Sequence, residues 1–152
     1  VPVPDLALSL HDGRQTTLAA LLEHHASAVQ LMFTSCTSTC PIQGVIFRRV
    51  QELILDAAAP DIQLVSLSVD PERDDPKALA RWLRRFQARP GWVAGAPRRA
   101  DTERLRAFGG AGKSAADNHS TRVLIADRSA RLIWRTAELP DAEGIARVLE
   151  RV

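Results

Sequence analysis

Cys36 and Cys40 are the only cysteines in a chain of 152 residues, and they stand four apart, just ahead of a segment with helical apolar spacing. Residues i and i+4 lie about one helical turn apart, so the two sulfurs can close a disulfide or converge on one metal. A helix N-terminus presents partial positive charge and free N–H groups, which favour thiolate over thiol and improve both sulfurs as ligands and as nucleophiles. As a mere staple the pair would do little, because a loop this short removes only about 2 kcal/mol or less of unfolded-state entropy. Structural zinc wants four protein ligands. The histidines, His11, His24, His25 and His119, offer no spacing that builds a second ligand pair. Two thiolates and one imidazole instead make a soft three-coordinate site suited to Cu(I).

His119 is the candidate third donor. It ends a polar loop just before a buried strand, beside Asp117, Asn118 and Ser120, which can orient its ring. His11 falls in a turn, and His24 and His25 follow a short helix end, where a cation is favourable without any ligand role. The same dithiol also permits thiol–disulfide exchange, in which one cysteine attacks a substrate disulfide and the other resolves the mixed disulfide. CxxC is the usual spacing for that chemistry, so the extra residue and the His119 context favour metal handling. A metallochaperone would need sulfurs exposed at the loop and helix mouth, where a receiving protein's ligands can reach the metal. A peroxidase needs a proline and threonine fixed ahead of its reactive cysteine, and Leu31 stands where the proline would be.

The elements that must hold these residues follow from periodicity. Residues 6–10 alternate, residues 11–14 read as a turn and residues 15–17 lead out, which predicts a small hairpin followed by a short helix over 18–24. Residues 28–34 are almost wholly apolar, as expected of a strand buried on both faces. Pro41 opens a helix over 42–58 with Val45, Ile46, Val50, Leu53, Ile54 and Ala57 as its apolar stripe. A second core strand covers 61–69, and Pro76 starts a helix whose stripe is Leu79, Trp82, Leu83 and Phe86, with Arg81, Arg84 and Arg85 on other faces. Residues 91–93 read as a short edge strand, and Asp101 as the cap of a helix over 102–108 that stops at Gly109-Gly110. A hairpin over 121–126 and 131–135 and a helix over 141–150 close the chain. The order is that of an α/β, thioredoxin-like fold: a central mixed sheet flanked by helices, with an N-terminal β-hairpin extension, in a single domain over 1–152.

Composition narrows the function classes. Twenty Lys plus Arg against eighteen Asp plus Glu leave a net charge of +2, too balanced for nucleic acid to be the expected partner. The arginines 81, 84, 85, 98 and 99 read as a solvated face or as a docking surface for an acidic partner. No apolar run is long enough to span a bilayer. With no apolar stripe left over on any predicted helix or edge strand, a monomer is expected.

Three blocks carry a more specific signal: residues 33–41, with Cys36 and Cys40; residues 68–76, Ser-Val-Asp-Pro-Glu-Arg-Asp-Asp-Pro; and residues 118–127, which begin Asn-His-Ser-Thr. In order and spacing they resemble the signature blocks of the Sco/SenC family, thioredoxin-like copper-binding proteins associated with cytochrome c oxidase assembly. The resemblance implies that Cys36, Cys40 and His119 bind copper, as Cu(I) or Cu(II), and that Cys36 and Cys40 form a redox-active disulfide. It implies that Asp70 is a nearby acidic residue rather than a ligand. It further implies a metallochaperone that delivers copper to, or reduces, the dinuclear site of cytochrome c oxidase subunit II, or serves another copper-receiving protein. The location implied is the periplasm or the extracytoplasmic face of a membrane, with an anchoring or targeting segment ahead of Val1. Thr37, Ser38 and Thr39 replace the Pro-Asp that the family commonly carries between its cysteines.

Overall fold

A computed structural model describes residues 1–37, 39–57, 61–110 and 119–152. Among these residues seven strands form one mixed sheet in the order β2-β1-β5-β4-β3-β6-β7. They are β1 Ala7–Leu10, β2 Gln15–Thr17, β3 Ala26–Met32, β4 Ile62–Ser68, β5 Trp92–Pro97, β6 Arg122–Ala126 and β7 Leu132–Glu138. The central β3, β4 and β5 run parallel, in a register from Ala26 opposite Ile62 to Met32 opposite Ser68. β6 joins β3 and β1 joins β5, both antiparallel. The helices are α1 Leu18–Leu22, α2 Cys40–Asp56, α3 Pro76–Arg85, α4 Thr102–Phe108 and α5 Ala142–Arg151. This is the expected thioredoxin-like arrangement with its N-terminal hairpin.

Alternation along β3 splits the core into two halves. Ala26, Ala28 and Met32 meet α2, α3 and α5, whereas Val29 and Leu31 meet α1 and α4. Both faces of β3 and β4 are covered, and every residue of the two strands is buried, as their near-continuous apolar runs predict. α3 starts as its sequence requires, with Pro76 in the first turn and the Asp75 carboxylate accepting from Ala78 N–H at 2.8 Å.

Four local expectations are corrected. Residues 91–93 open an internal strand, because the N-terminal hairpin adds to the sheet beyond β5 and moves the edge to β2. The buried face of α2 is Cys40, Gln43, Gly44, Phe47, Val50, Gln51 and Ile54. Val45 therefore faces solvent at 59% exposure, with Ile42 at 50%, because the helix begins at Cys40 and its phase follows Phe47 into the core. Asp101 stands at the N-cap position of α4 as expected, but its side chain makes no capping bond; the carboxylate pairs with Arg98 and Arg104 instead. Exposed Ile42, Val45, Ile133 and Trp134 also remove the premise from which a monomer was expected.

Candidate metal centre

The cysteine turn, the start of α2 and the His119 segment meet where β3 leaves the sheet. After Met32 the chain passes Phe33 and Thr34, and Cys36 N–H donates to Phe33 O at 3.1 Å, which closes a tight turn. Cys40 is the first residue of the 17-residue α2, at its positive end, where negative charge on a donor is favoured. Cys36 and Cys40 belong to the same core cluster and are not joined in a disulfide. They are 5% and 1% exposed, contrary to the expectation of open sulfurs, because the start of α2 packs down onto the sheet.

His119 arrives from 79 residues away, and its Nε2 lies 3.4 Å from Cys40 Sγ. Its Nδ1 lies 2.9 Å from the carbonyl of Ser120. A carbonyl only accepts, so Nδ1 carries the proton and Nε2 is the nitrogen turned to the sulfur. Phe33 stands edge-on to the imidazole, with centroids 5.8 Å apart and planes at 88°, and the histidine is 3% exposed. Buried, oriented and aimed at a thiol, this is not a surface histidine.

The segment that leads from His119 into β6 is pinned by Glu138 on β7. That carboxylate accepts from Thr121 N–H at 2.7 Å, from the Thr121 hydroxyl and from Ser120 Oγ at 3.1 Å, with Arg122 Nε at 3.4 Å. Partial burial pushes its pKa up; the bonds from Thr121 and Ser120 and the charge of Arg122 outweigh this, leaving it below the ordinary value. On the other side, Asp74 pins the cysteine loop. It is 2% exposed, and its carboxylate accepts from Thr34 N–H at 3.0 Å, from the Thr34 hydroxyl and from Ser68 Oγ at 2.5 Å. Neither anchor shows in residue type alone: Asp74 lies inside the quoted 68–76 block without a pattern of its own, and Glu138 has no local signal.

The other expected residues divide. Asp70 is half-buried at the end of β4 with its carboxylate 3.8 Å from Arg73. Asp117 lies outside the described residues. His11 packs its Nδ1 3.4 Å from Ala94 O, as a turn residue rather than a ligand.

Chemically, Cys40 and His119 make a soft S,N donor pair. Metal bonds of about 2.3 Å to sulfur and 2.0–2.1 Å to nitrogen hold these atoms about 3.5–3.8 Å apart between a tetrahedral and a trigonal angle, so a small widening of their 3.4 Å spacing admits one ion between them. Among the described residues no three His, Cys, Asp or Glu side chains gather closely enough to hold a metal as they stand. A third bond from Cys36 requires its loop to adjust.

Residues 4–152 match the family model described as SCO1/SenC. The chain belongs to the SCO1/SenC family. A "Protein SCO2 homolog, mitochondrial" of Danio rerio is 33% identical over 86 residues, 56% of this chain and 30% of that protein. The Bacillus subtilis (strain 168) "SCO1 protein homolog" is 31% identical over 75 residues, 49% of this chain and 38% of that one. The matched segments thus span well under half the length of these curated relatives. Among solved structures, a SCO1/SenC family lipoprotein from Bacillus anthracis str. Ames superposes with TM-score 0.82 at 20% identity, covering 99% of this chain and 94% of that one. Arabidopsis thaliana ScoI, solved with copper bound, gives 0.81 at 16% identity over the full length of both chains. At such identities the superpositions establish that this SCO1/SenC chain has the fold of those proteins.

Proposed function

We propose that this protein is a copper metallochaperone of one domain, residues 1–152, in which Cys36 and Cys40 supply thiolates and His119 an imidazole. The observation that carries the reading is the Cys40 Sγ to His119 Nε2 approach of 3.4 Å, with the opposite ring nitrogen held on the Ser120 carbonyl. That arrangement fixes the tautomer a metal needs before any metal arrives, and thiolate with imidazole is a donor set for Cu(I) rather than for a hard cation. Family membership and the copper-bound state of Arabidopsis thaliana ScoI support the same choice of metal. Its receiver is a protein of cytochrome c oxidase assembly, with the dinuclear copper site of subunit II as the destination. The lipoprotein relative from Bacillus anthracis supports a place on the extracytoplasmic side of a membrane. Cys36 joins the donors through movement of the turn that follows Thr34, and withdrawal of the same thiol opens a coordination position for the receiver. Asp70 and Asp117 are proposed as acidic neighbours outside the donor set.

The test is copper titration of the reduced protein against a competing Cu(I) chelator, together with the thiolate-to-Cu(II) charge-transfer band. One equivalent should bind, and His119→Ala should weaken binding at least tenfold and abolish the band. Unchanged affinity in His119→Ala overturns the ligand assignment. Sustained metal-free turnover of a protein disulfide, lost in Cys36→Ser, would make the chain a thiol–disulfide oxidoreductase instead.

A further inference from the structure

One face of α3 is cationic without a matching anion. Lys77, Arg81 and Arg84 follow one another at i, i+4 and i+7, all exposed, with Arg85 one turn beyond Arg81. Like charges at such spacing cost helix stability, so the stripe opposes the fold that carries it. Other arginines divide: Arg98, Arg99 and Arg122 lie 3.2, 2.7 and 3.4 Å from a carboxylate, whereas Arg131, Arg135, Arg147 and Arg151 make no ion pair among the described residues and form no comparable stripe beside a concave surface. Among the described residues no ion pair involves Lys77, Arg81, Arg84, Arg85 or Arg89.

The stripe borders concave surface. Between α3 and the turn joining β1 to β2 lie two adjoining cavities of about 510 and 420 Å³ that share His11, Asp12, Ala80 and Arg84. Leu83, Pro90 and Val93 give the larger one an apolar wall, and its acid, Asp12, is already held by Arg14 at 2.7 Å. Arg81 lines the second cavity and also a third, of about 180 Å³, that it shares with Arg85 and with Thr34, two residues before Cys36. The cationic track therefore runs from the hairpin turn to the foot of the cysteine loop.

We propose that this groove docks an acidic, extended segment of the protein that receives copper, and so aligns the receiver with Cys36. The inference rests on the metallochaperone reading for its purpose, although binding itself does not depend on metal. Charge complementarity selects an acidic occupant, since unmatched cations steer association and specify partners. Concavity with an apolar wall selects a peptide over a flat membrane surface.

The probe is a fluorescein-labelled hexaglutamate peptide, followed by anisotropy and by ¹H–¹⁵N chemical-shift mapping on the whole chain. Shifts should cluster at residues 11–14 and 77–93, and affinity should fall at least tenfold between 20 and 200 mM NaCl, as ~10-fold more salt shortens the Debye length about threefold. Arg81→Glu with Arg84→Glu should weaken binding at least tenfold, whereas Arg147→Glu with Arg151→Glu, the same charge change on α5, should alter it less than twofold. Equal losses in both pairs, shifts centred elsewhere, or tighter binding in the groove of a 12-base-pair DNA duplex or of vesicles with 30% phosphatidylglycerol overturns the proposal. Cu(I) transfer to a Cys-containing acceptor peptide is the second readout. A hexaglutamate tail should speed it at least fivefold over a hexaglutamine tail in the wild type and not in the Arg81/Arg84 pair; equal rates overturn the alignment role. Cys36→Ser with Cys40→Ser should bind the probe like wild type, so failed docking and failed copper binding are separate results.

Discussion

Removing the Asp74 carboxylate should loosen the cysteine loop from the sheet. The group is buried and accepts from Thr34 N–H at 3.0 Å, from the Thr34 hydroxyl and from Ser68 Oγ at 2.5 Å. In Asp74→Ala the Thr34 N–H is stranded, at about 1–3 kcal/mol, and each hydroxyl loses a bond with a net value of about 1 kcal/mol before it turns to another acceptor. The expected loss is about 3–5 kcal/mol, a large share of the about 5–15 kcal/mol typical of a domain. Asp74→Asn keeps an oxygen for the N–H and fills the same volume, so it should cost about 1–2 kcal/mol. Urea unfolding followed by tryptophan fluorescence measures both, since Trp82 and Trp92 are buried in the core half that contains the cysteines. Hydrogen exchange at the Thr34 amide localises the effect, and it should accelerate more than exchange in β4. A loss below about 1 kcal/mol in Asp74→Ala, or equal losses in the two variants, would refute the claim that this carboxylate anchors the loop.

Glu138→Gln should destabilise by no more than about 1 kcal/mol at pH 7, because the side chain is 43% exposed and solvent screens its partners. Since the folded-state pKa is lowered, the stabilisation is present above the ordinary carboxylate value of about 4.3 and is lost as pH falls below it. Wild-type and variant urea midpoints should therefore converge below pH 4. Gly44→Ala should destabilise by about 1–2 kcal/mol despite the better helix propensity of alanine. A Cβ there would sit 2.3–2.5 Å from atoms of the Phe86 ring, and thermal unfolding reads the net sign. Asp75→Ala should cost about 1 kcal/mol by removing the cap of α3, with far-UV circular dichroism reporting the loss.

Much of the fold is legible because its signals are local. Continuous apolar runs mark β3 and β4, Asp75-Pro76 marks the start of α3, and Gly110 at φ +92° follows α4, ended by Gly109, in a conformation that glycine tolerates. The errors came where the deciding neighbour is distant. β5 became internal only because the hairpin pairs with it, and the phase of α2 was set by where Cys40 starts the helix against the sheet.

Residue type and spacing alone determined the chemistry available to this chain: two soft sulfurs one helical turn apart, and a histidine at the mouth of a buried strand. Tertiary structure decided that His119 turns Nε2 rather than Nδ1 to Cys40, and that both sulfurs are buried. It also decided that two carboxylates from other elements, Asp74 and Glu138, hold the two halves of the site. Spacing can place a donor within one helical turn, but the separation of 79 positions from Cys40 to His119 is closed by sheet pairing, which depends on contacts that no local window contains.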